Sequence, residues 1–435
     1  MGTVYLKDNT ILELLPGATL LGSANLADYD SLYWGHNQDR TPYHLIVAQN
    51  AKNVTIQGRG TIDGQGKNWY DYTDVKPRWM QKQVRRPSPM VEFDHCENVR
   101  VTGITLTNAA GWTLHAFNSD QIVVDGIRLI NNLYGPNNDG IDVTGCNNVM
   151  ISNCYIKTCD DAVCVKTTTD SRTSSNVTVT NCIMQTTCVA LKCGETSKRI
   201  SDLTFSNCVI TKSSRAFGIY ATWGGDVENV NVSNIIANTN APLVLNRPFQ
   251  ISAWDAYSRE GEFLREGGNV RNVTVSNFTA TTQDRILITA NHGKRVENIN
   301  LRDIRLNYPY IENPANYAPE ASSNQFRGIE AGAMAANAAV VASNIRNFSL
   351  DGLFIDWNQT DTIPQEWQHP ERIENGKMDK VHYPTYDRVK MAEFHAFYGN
   401  NVNSGYVFAP MAAASDEKLP AIVTQGSSLN ITSKK

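Results

Sequence analysis

The chain has 435 residues, a formal net charge of −4 and an isoelectric point near 6.1. That balance excludes the broad basic surface of a nucleic-acid binder and gives no long-range pull on an acidic polymer. No run of about 18 apolar residues exists to span a membrane, and the length suits two or three ordinary domains or one long repeat.

At the N-terminus Met1-Gly2 leads directly into Val4-Tyr5-Leu6, a predicted strand rather than a secretory leader. From there one phrase recurs. It reads Asn53-Val54-Thr55-Ile56, Asn98-Val99-Arg100-Val101, Gln121-Ile122-Val123-Val124, Asn148-Val149-Met150-Ile151 and Asn176-Val177-Thr178-Val179. It continues at Asp202-Leu203, Asn229-Val230, Asn272-Val273, Asn298-Ile299 and Asn347-Phe348, and from Asn98 to Asn229 the interval is 23 to 28 residues. Each unit holds two or three short strands with β-branched residues at alternate positions, split by Gly, Asn, Asp or Ser. Such a unit cannot close a core alone, whereas stacked copies can. The leucine ladder of a leucine-rich repeat is missing, and the period is too short for propeller blades. An all-β chain is therefore predicted, a right-handed parallel β-helix of about ten or more coils forming one domain over residues 1–435.

The Asn-x-Thr/Ser triplets, such as Asn176-Val177-Thr178, are read as repeat chemistry, with Asn at a fixed turn bonding its counterpart in the next coil. The nine cysteines crowd between Cys96 and Cys208, and Cys154, Cys182 and Cys208 each follow Asn in matching strands. They are expected to be buried small hydrophobes, not disulfides or metal ligands. Longer segments near 67–90, 247–270 and 309–343 interrupt the rhythm and carry aromatics such as Trp69, Trp254, Tyr308 and Tyr317. They are candidate walls of a sugar-binding cleft, since aromatic faces stack on pyranose rings. Residues 359–435 are less regular, with a last coil predicted around Phe394–Val402.

Three aspartates stand out against this repeat. Asp139 precedes Ile141-Asp142-Val143, and Asp160-Asp161 precede Val163-Cys164-Val165-Lys166, which aligns with Val189-Ala190-Leu191-Lys192. Adjacent coils stack at about 4.8 Å, so the three carboxylates are expected within a patch roughly 5 to 9 Å across. Crowding of like charges raises one pKa and leaves a protonated acid beside ionised bases, the pairing that glycosidic hydrolysis uses. Asp142 is taken as an ordinary turn aspartate.

The run Gly60-Thr61-Ile62-Asp63-Gly64-Gln65-Gly66 with Trp69, then Asn138-Asp139-Gly140-Ile141-Asp142 and Asp160-Asp161, resembles glycoside hydrolase family 28, the polygalacturonase family. The resemblance covers residues 3 to 240 and, more loosely, extends to 410. It implies an inverting hydrolase on a right-handed β-helix with no metal and no cofactor, acting on a pectic or other acidic polysaccharide or its oligosaccharides. It further implies a monomer, secreted or periplasmic, whose leader is absent from this chain. By position Asp160 matches the general acid, and Asp139 with Asp161 the pair that activates water.

Two family features are absent. Where the family has Gly-His-Gly the chain reads Thr186-Thr187-Cys188, and where it has Arg-Ile-Lys the chain reads Arg215-Ala216-Phe217-Gly218-Ile219-Tyr220. A substrate other than plain polygalacturonan is therefore expected, held by Lys192, Arg215, Tyr220, Arg247 and Trp254. Two other classes stay open: a β-helical lyase or epimerase with Ca²⁺ on the aspartates, and a carbohydrate-binding solenoid without catalysis.

Overall fold

A computed structural model describes residues 1–32, 39–75, 80–82, 85–240, 246–257, 262–291, 296–311, 336–358, 371–374, 377–380 and 393–433, with the side chains of 71–82 and 371–380 left aside. The candidate walls at 67–90, 247–270 and 309–343 and the C-terminal segment thus lie partly outside the described residues, and Tyr317 lies outside them. The chain divides into two compact units, Met1–Lys192 with Pro370–Val381, and Cys193–His369 with His382–Lys435.

In the first unit each coil contributes strands to parallel ladders, the parallel β-helix that the repeat predicts. One ladder carries the site. Its strands are β1 (Ile46–Gln49), β2 (Val91–Asp94), β3 (Leu114–Phe117), β4 (Ile141–Thr144), β5 (Val163–Thr167) and β6 (Val189–Thr196). The register stacks Val91, Leu114, Ile141 and Val163 on one row and Phe93, Ala116, Val143 and Val165 on another. Side chains alternate across a strand, so these buried apolar rows form the interior. The residues between them face outward: Glu92, His115, Asp142 and Cys164 in one row, Asp94, Phe117, Thr144 and Lys166 in the next.

Turns between strands are set by asparagine. Asn53, Asn98, Asn148, Asn153, Asn176 and Asn181 all have φ between 55° and 60°, a left-handed conformation that Asn tolerates better than β-branched residues. Their side chains bond coil to coil: Asn53 Nδ2 donates to Asn9 at 2.8 Å, Asn98 to Asn53 at 2.8 Å, and Asn176 to Asn148 at 3.1 Å. The triplets are therefore repeat chemistry, as expected.

The second unit repeats the plan with longer strands, Ile200–Lys212, Val227–Thr239, Val270–Thr282, Val296–Asn307 and Ala338–Asp356, paired in parallel. Its asparagine ladder runs Asp202, Asn229, Asn272, Asn298, Asn347, with bonds of 2.8 to 3.0 Å. The coil predicted as the last is the strand His395–Ala409, but it is not the last: Ile422–Gln425 and Ser428–Ser433 pair with it in parallel, a further coil where a polar tail was expected. Tyr308 is fully buried and stacked on Trp357 with centroids 4.7 Å apart, so this aromatic packs against the coil and does not wall a cleft. All nine cysteines are free thiols, eight of them buried.

Candidate active site

Two successive turns bring the aspartates together. Asp139 lies just before β4 and Asp160-Asp161 just before β5, and Gly140 N donates to the Asp161 carbonyl at 2.8 Å. A Cβ at Gly140 would sit 2.4 Å from the Ala162 carbonyl oxygen, so glycine permits this close approach. Asn138, fully buried, accepts from Cys159 N at 2.8 Å and donates to Asn132 O at 2.8 Å. It clamps the two coils immediately beside the carboxylates.

Each carboxylate then meets a different environment. Asp160 is half-buried, accepts from Asp161 N at 2.9 Å and faces Asn137 Nδ2 at 3.4 Å. Burial first and the Asp161 charge second push its pKa up to about 6. Asp161 is buried and accepts from Lys192 Nζ at 2.5 Å and Val189 N at 3.4 Å. Burial works against its ionisation, yet Lys192 and then Lys166 outweigh that and hold it below the usual carboxylate range. Lys192 answers in kind: burial opposes its charge, and Asp161 more than restores it.

Asp139 is buried and bonded to Lys166 Nζ at 3.2 Å. Burial, then the neighbouring Asp142 charge, raise its pKa well above the ordinary value against the pull of Lys166. Asp142 is no turn aspartate, contrary to the expectation from sequence. It sits inside β4, fully buried, 3.0 Å from Lys166 Nζ, because the outward row of the ladder at this coil is covered by protein. One lysine thus serves two acids, and its Nζ also lies 3.8 Å from the centroid of the Trp112 ring.

The charged row continues down the ladder. His115 Nδ1 is 2.8 Å from Glu92 Oε2 and its Nε2 is 2.9 Å from Thr144 Oγ1, while Arg40 Nε donates to Glu92 Oε1 at 2.9 Å. Burial opposes the charge of Glu92, but Arg40 and then His115 bring its pKa down to about 2. The sequence reading passed over this network. Its one signal was the run of titratable residues at the same outward position in successive coils.

In place of the absent histidine, Thr187 Oγ1 donates to the Cys159 carbonyl at 2.5 Å and Thr186 Oγ1 donates to the Asp160 carbonyl. Both hydroxyls fix the turn that carries Asp160. Ligand atoms of Asp160, Asp161 and Cys188 lie within 4.8 Å of one another.

The other expected substrate contacts lie in the second unit. Arg215 is half-buried, its guanidinium 6.0 Å from the Tyr220 ring, and Tyr220 meets Trp254 edge-on at 5.7 Å. Arg247, expected as a substrate contact, is fully buried, with Nε 3.3 Å from Asp284 and NH1 donating to Gln250 at 2.6 Å. It braces the ladder from within, because the strand Arg247–Ala253 is buried at every position.

The sequence matches the model of glycosyl hydrolases family 28 over residues 19–323. A probable polygalacturonase of Vitis vinifera is 30% identical over 174 residues, 38% of this chain and 34% of that protein. The first curated relatives are matched over between 25% and 47% of their own length. Among solved structures, an exopolygalacturonase of Thermotoga maritima is 22% identical with a TM-score of 0.57, over 70% of this chain and 77% of that one. A family 28 exopolygalacturonase of Yersinia enterocolitica is 18% identical with a TM-score of 0.60, over 83% and 69%. These likenesses agree with the fold. With the family match spanning more than half of the sequence, and with Asp139, Asp160 and Asp161 meeting on adjacent coils of a parallel β-helix, the chain belongs to glycosyl hydrolases family 28.

Proposed function

We propose that the chain is an inverting glycoside hydrolase acting on a pectic or other acidic polysaccharide. The observation that carries this reading is the split of charge across one turn: Asp160 with a pKa of about 6 beside Asp161 held ionised by Lys192 at 2.5 Å. Separated pKa values of neighbouring carboxyls mark an acid and a base. Asp160 gives its proton to the glycosidic oxygen as the bond from the anomeric carbon to that oxygen breaks. Water adds to the anomeric carbon from the opposite face and its proton passes to Asp161, with Asp139 as the second group that orients the water.

The names of the relatives, polygalacturonases and exopolygalacturonases, support a pectic substrate. Arg215 and Tyr220, both half-buried, offer a cation and an aromatic edge suited to a sugar and its acid substituent, whereas Trp254, expected as a contact, is 7% exposed and packs behind Tyr220. Lys192 serves the site chiefly through Asp161. Since Thr187 and Tyr220 stand where the family grips galacturonate, the preferred substrate is expected to differ from plain polygalacturonan. A Ca²⁺-dependent lyase is less well supported, because Lys166 and Lys192 already occupy Asp139 and Asp161 as partners, and Ca²⁺ takes six to eight oxygen ligands.

The test is a panel of pectic and other acidic glycans assayed for reducing ends, for unsaturated product by ultraviolet absorbance, and for anomer by NMR. Hydrolysis with inversion, lost by at least about 10²-fold in Asp160→Asn, is the expected result. An unsaturated product, or Asp160→Asn turnover within a few-fold of the parent, overturns the assignment.

A further inference from the structure

The coil that carries Asp139 buries more charge than the proposed chemistry uses. Asp142 lies inside β4 and, at 0% exposed, reaches no substrate. Beyond a 3.0 Å contact with Lys166 Nζ, neither of its oxygens has a hydrogen-bond partner among the described residues. Burial raises its pKa, against the pull of Lys166 and then of His115. A buried carboxyl compensated so sparsely weakens a fold, which calls for an explanation in function.

What Asp142 holds is Lys166. The register sets this lysine beside Thr144, one outward row along from Asp142 and Cys164, and its side chain reaches both acids. Nζ lies 3.0 Å from Asp142 Oδ1, 3.2 Å from Asp139 Oδ2 and 3.8 Å from the centroid of the Trp112 ring. Lys166 is 2% exposed and Trp112 4%, so the surrounding interior packs both in place. The segment that bears Trp112 is fastened as well: Trp112 N donates to Ser88 Oγ at 3.0 Å, Arg86 Nε to Ala110 O at 3.0 Å, and Ser88 Oγ to Asp39 O at 2.6 Å. An ammonium set between a buried carboxylate and an aromatic face fixes whatever else it binds.

Asp139 shows the effect. Its Oδ2 is taken by Lys166, whereas its Oδ1 is buried and has no hydrogen-bond partner among the described residues. We infer that Lys166 is a positioning residue, held by Asp142 and Trp112 so that it pins Asp139 Oδ2 and leaves Oδ1 to accept a hydrogen bond from the attacking water. The inference rests on the hydrolase reading above, and it gives neither Lys166 nor Asp142 a contact with substrate. To accept from water, Asp139 must be ionised. The charges that act on it come from Asp142 and Lys166 on the ladder, from Asp160 and Asp161 on the next turn, and from Arg86. Lys192 and the Cys164 thiol stand near Lys166 in turn. Of these, Asp142 opposes the ionisation of Asp139 and Lys166 favours it. Removing one or the other therefore shifts Asp139 in opposite directions, whereas the aim of Oδ1 is lost whenever Lys166 is gone.

The experiment measures kcat and KM against pH for the parent, Lys166→Met, Asp142→Asn and the double variant, on the glycan of the panel that is hydrolysed fastest. Lys166→Met is expected to lower kcat by about 10²-fold with KM within about two-fold, and to move the acid limb of kcat/KM up by about one pH unit. Asp142→Asn moves that limb down. In the double variant the two charge changes offset, so the limb returns close to its parent position while kcat stays as low as in Lys166→Met. A limb that moves the same way in both single variants or in neither, or a raised KM at unchanged kcat, overturns the role of Lys166 and leaves the hydrolase reading in place as long as Asp160→Asn still abolishes turnover. If Lys166→Met does not fold, Asp142→Asn decides alone, and an unmoved limb in it has the same consequence. Failure to hydrolyse any glycan of the panel overturns the hydrolase reading, and the role of Lys166 with it.

Discussion

At Asp160 the proposed catalytic task and the stability of the fold oppose each other at one side chain. Its pKa of about 6 in the folded protein exceeds the 3.8 of a free side chain. Its contribution is fully present below about pH 4 and is lost as pH rises through 6, because the unfolded chain ionises first. Asp160→Asn removes that loss and is expected to stabilise the protein at pH 7 by on the order of 1 to 3 kcal/mol, with little change at pH 4. Melting curves at the two pH values check this, and an equal shift at both would contradict it. Glu92 has the opposite sign. Held at about 2 by Arg40 and His115 against the cost of burial, it lends stability above about pH 4.5 that disappears as pH falls through 2. Glu92→Gln leaves Arg40 buried without its main partner and is expected to cost about 3 to 5 kcal/mol in urea unfolding. At Lys192 the readout is catalytic. Lys192→Met removes the charge that keeps Asp161 ionised, so the acid limb of kcat/KM against pH should move upward by about a unit, while Lys192→Arg keeps it in place. An unmoved limb in the Met variant would mean that Lys192 acts elsewhere.

Among the elements, the asparagine turns tie sequence to architecture most directly. Asn272 has φ of 56°, donates to Asn229 at 3.0 Å and accepts from Asn298 at 2.9 Å. Asn272→Ala is expected to cost about 2 to 3 kcal/mol, from left-handed strain and lost side-chain bonds, and Asn272→Gly to recover only the strain. Urea midpoints of the two variants separate the contributions, and equal losses would argue against the ladder. This repeat made the β-helix legible, because the turn residue and the inward apolar alternation recur at nearly constant spacing. Asp139, Asp160 and Asp161 were legible for the same reason, since fixed coil length converts sequence distance into adjacency. Asp142, Lys166 with Trp112, and the Arg40, Glu92, His115 row were not. Periodicity reports which side chains face inward, whereas the covering of the outward row comes from residues 39–45 and 85–90, remote in sequence and unrelated to the repeat. Arg247 misled for a similar reason: a charged residue opening a strand looks exposed until Asp284 is seen beside it.

At the scale of the whole molecule, nine free thiols mean that cohesion comes from non-covalent contacts, the stacked strands, apolar rows, asparagine ladders and buried ion pairs, without disulfides. Reducing agent should leave the melting temperature unchanged. Thiol titration of the native protein should show one accessible group, Cys188, against nine after unfolding, and rapid reaction of several thiols in the native state would contradict the burial described for the other eight. The placement of Asp139 and Asp160 on successive coils has a further bearing, on how such a protein can change length. A solenoid can grow by duplicating a coil wherever the turn asparagines stay in line, and the stack absorbs the copy. Between these two aspartates an added coil would leave both turns well formed and, on the proposed mechanism, part the acid from its water. That junction is the point at which descent by duplication is closed to this chain, and length differences among its active descendants belong on either side of it.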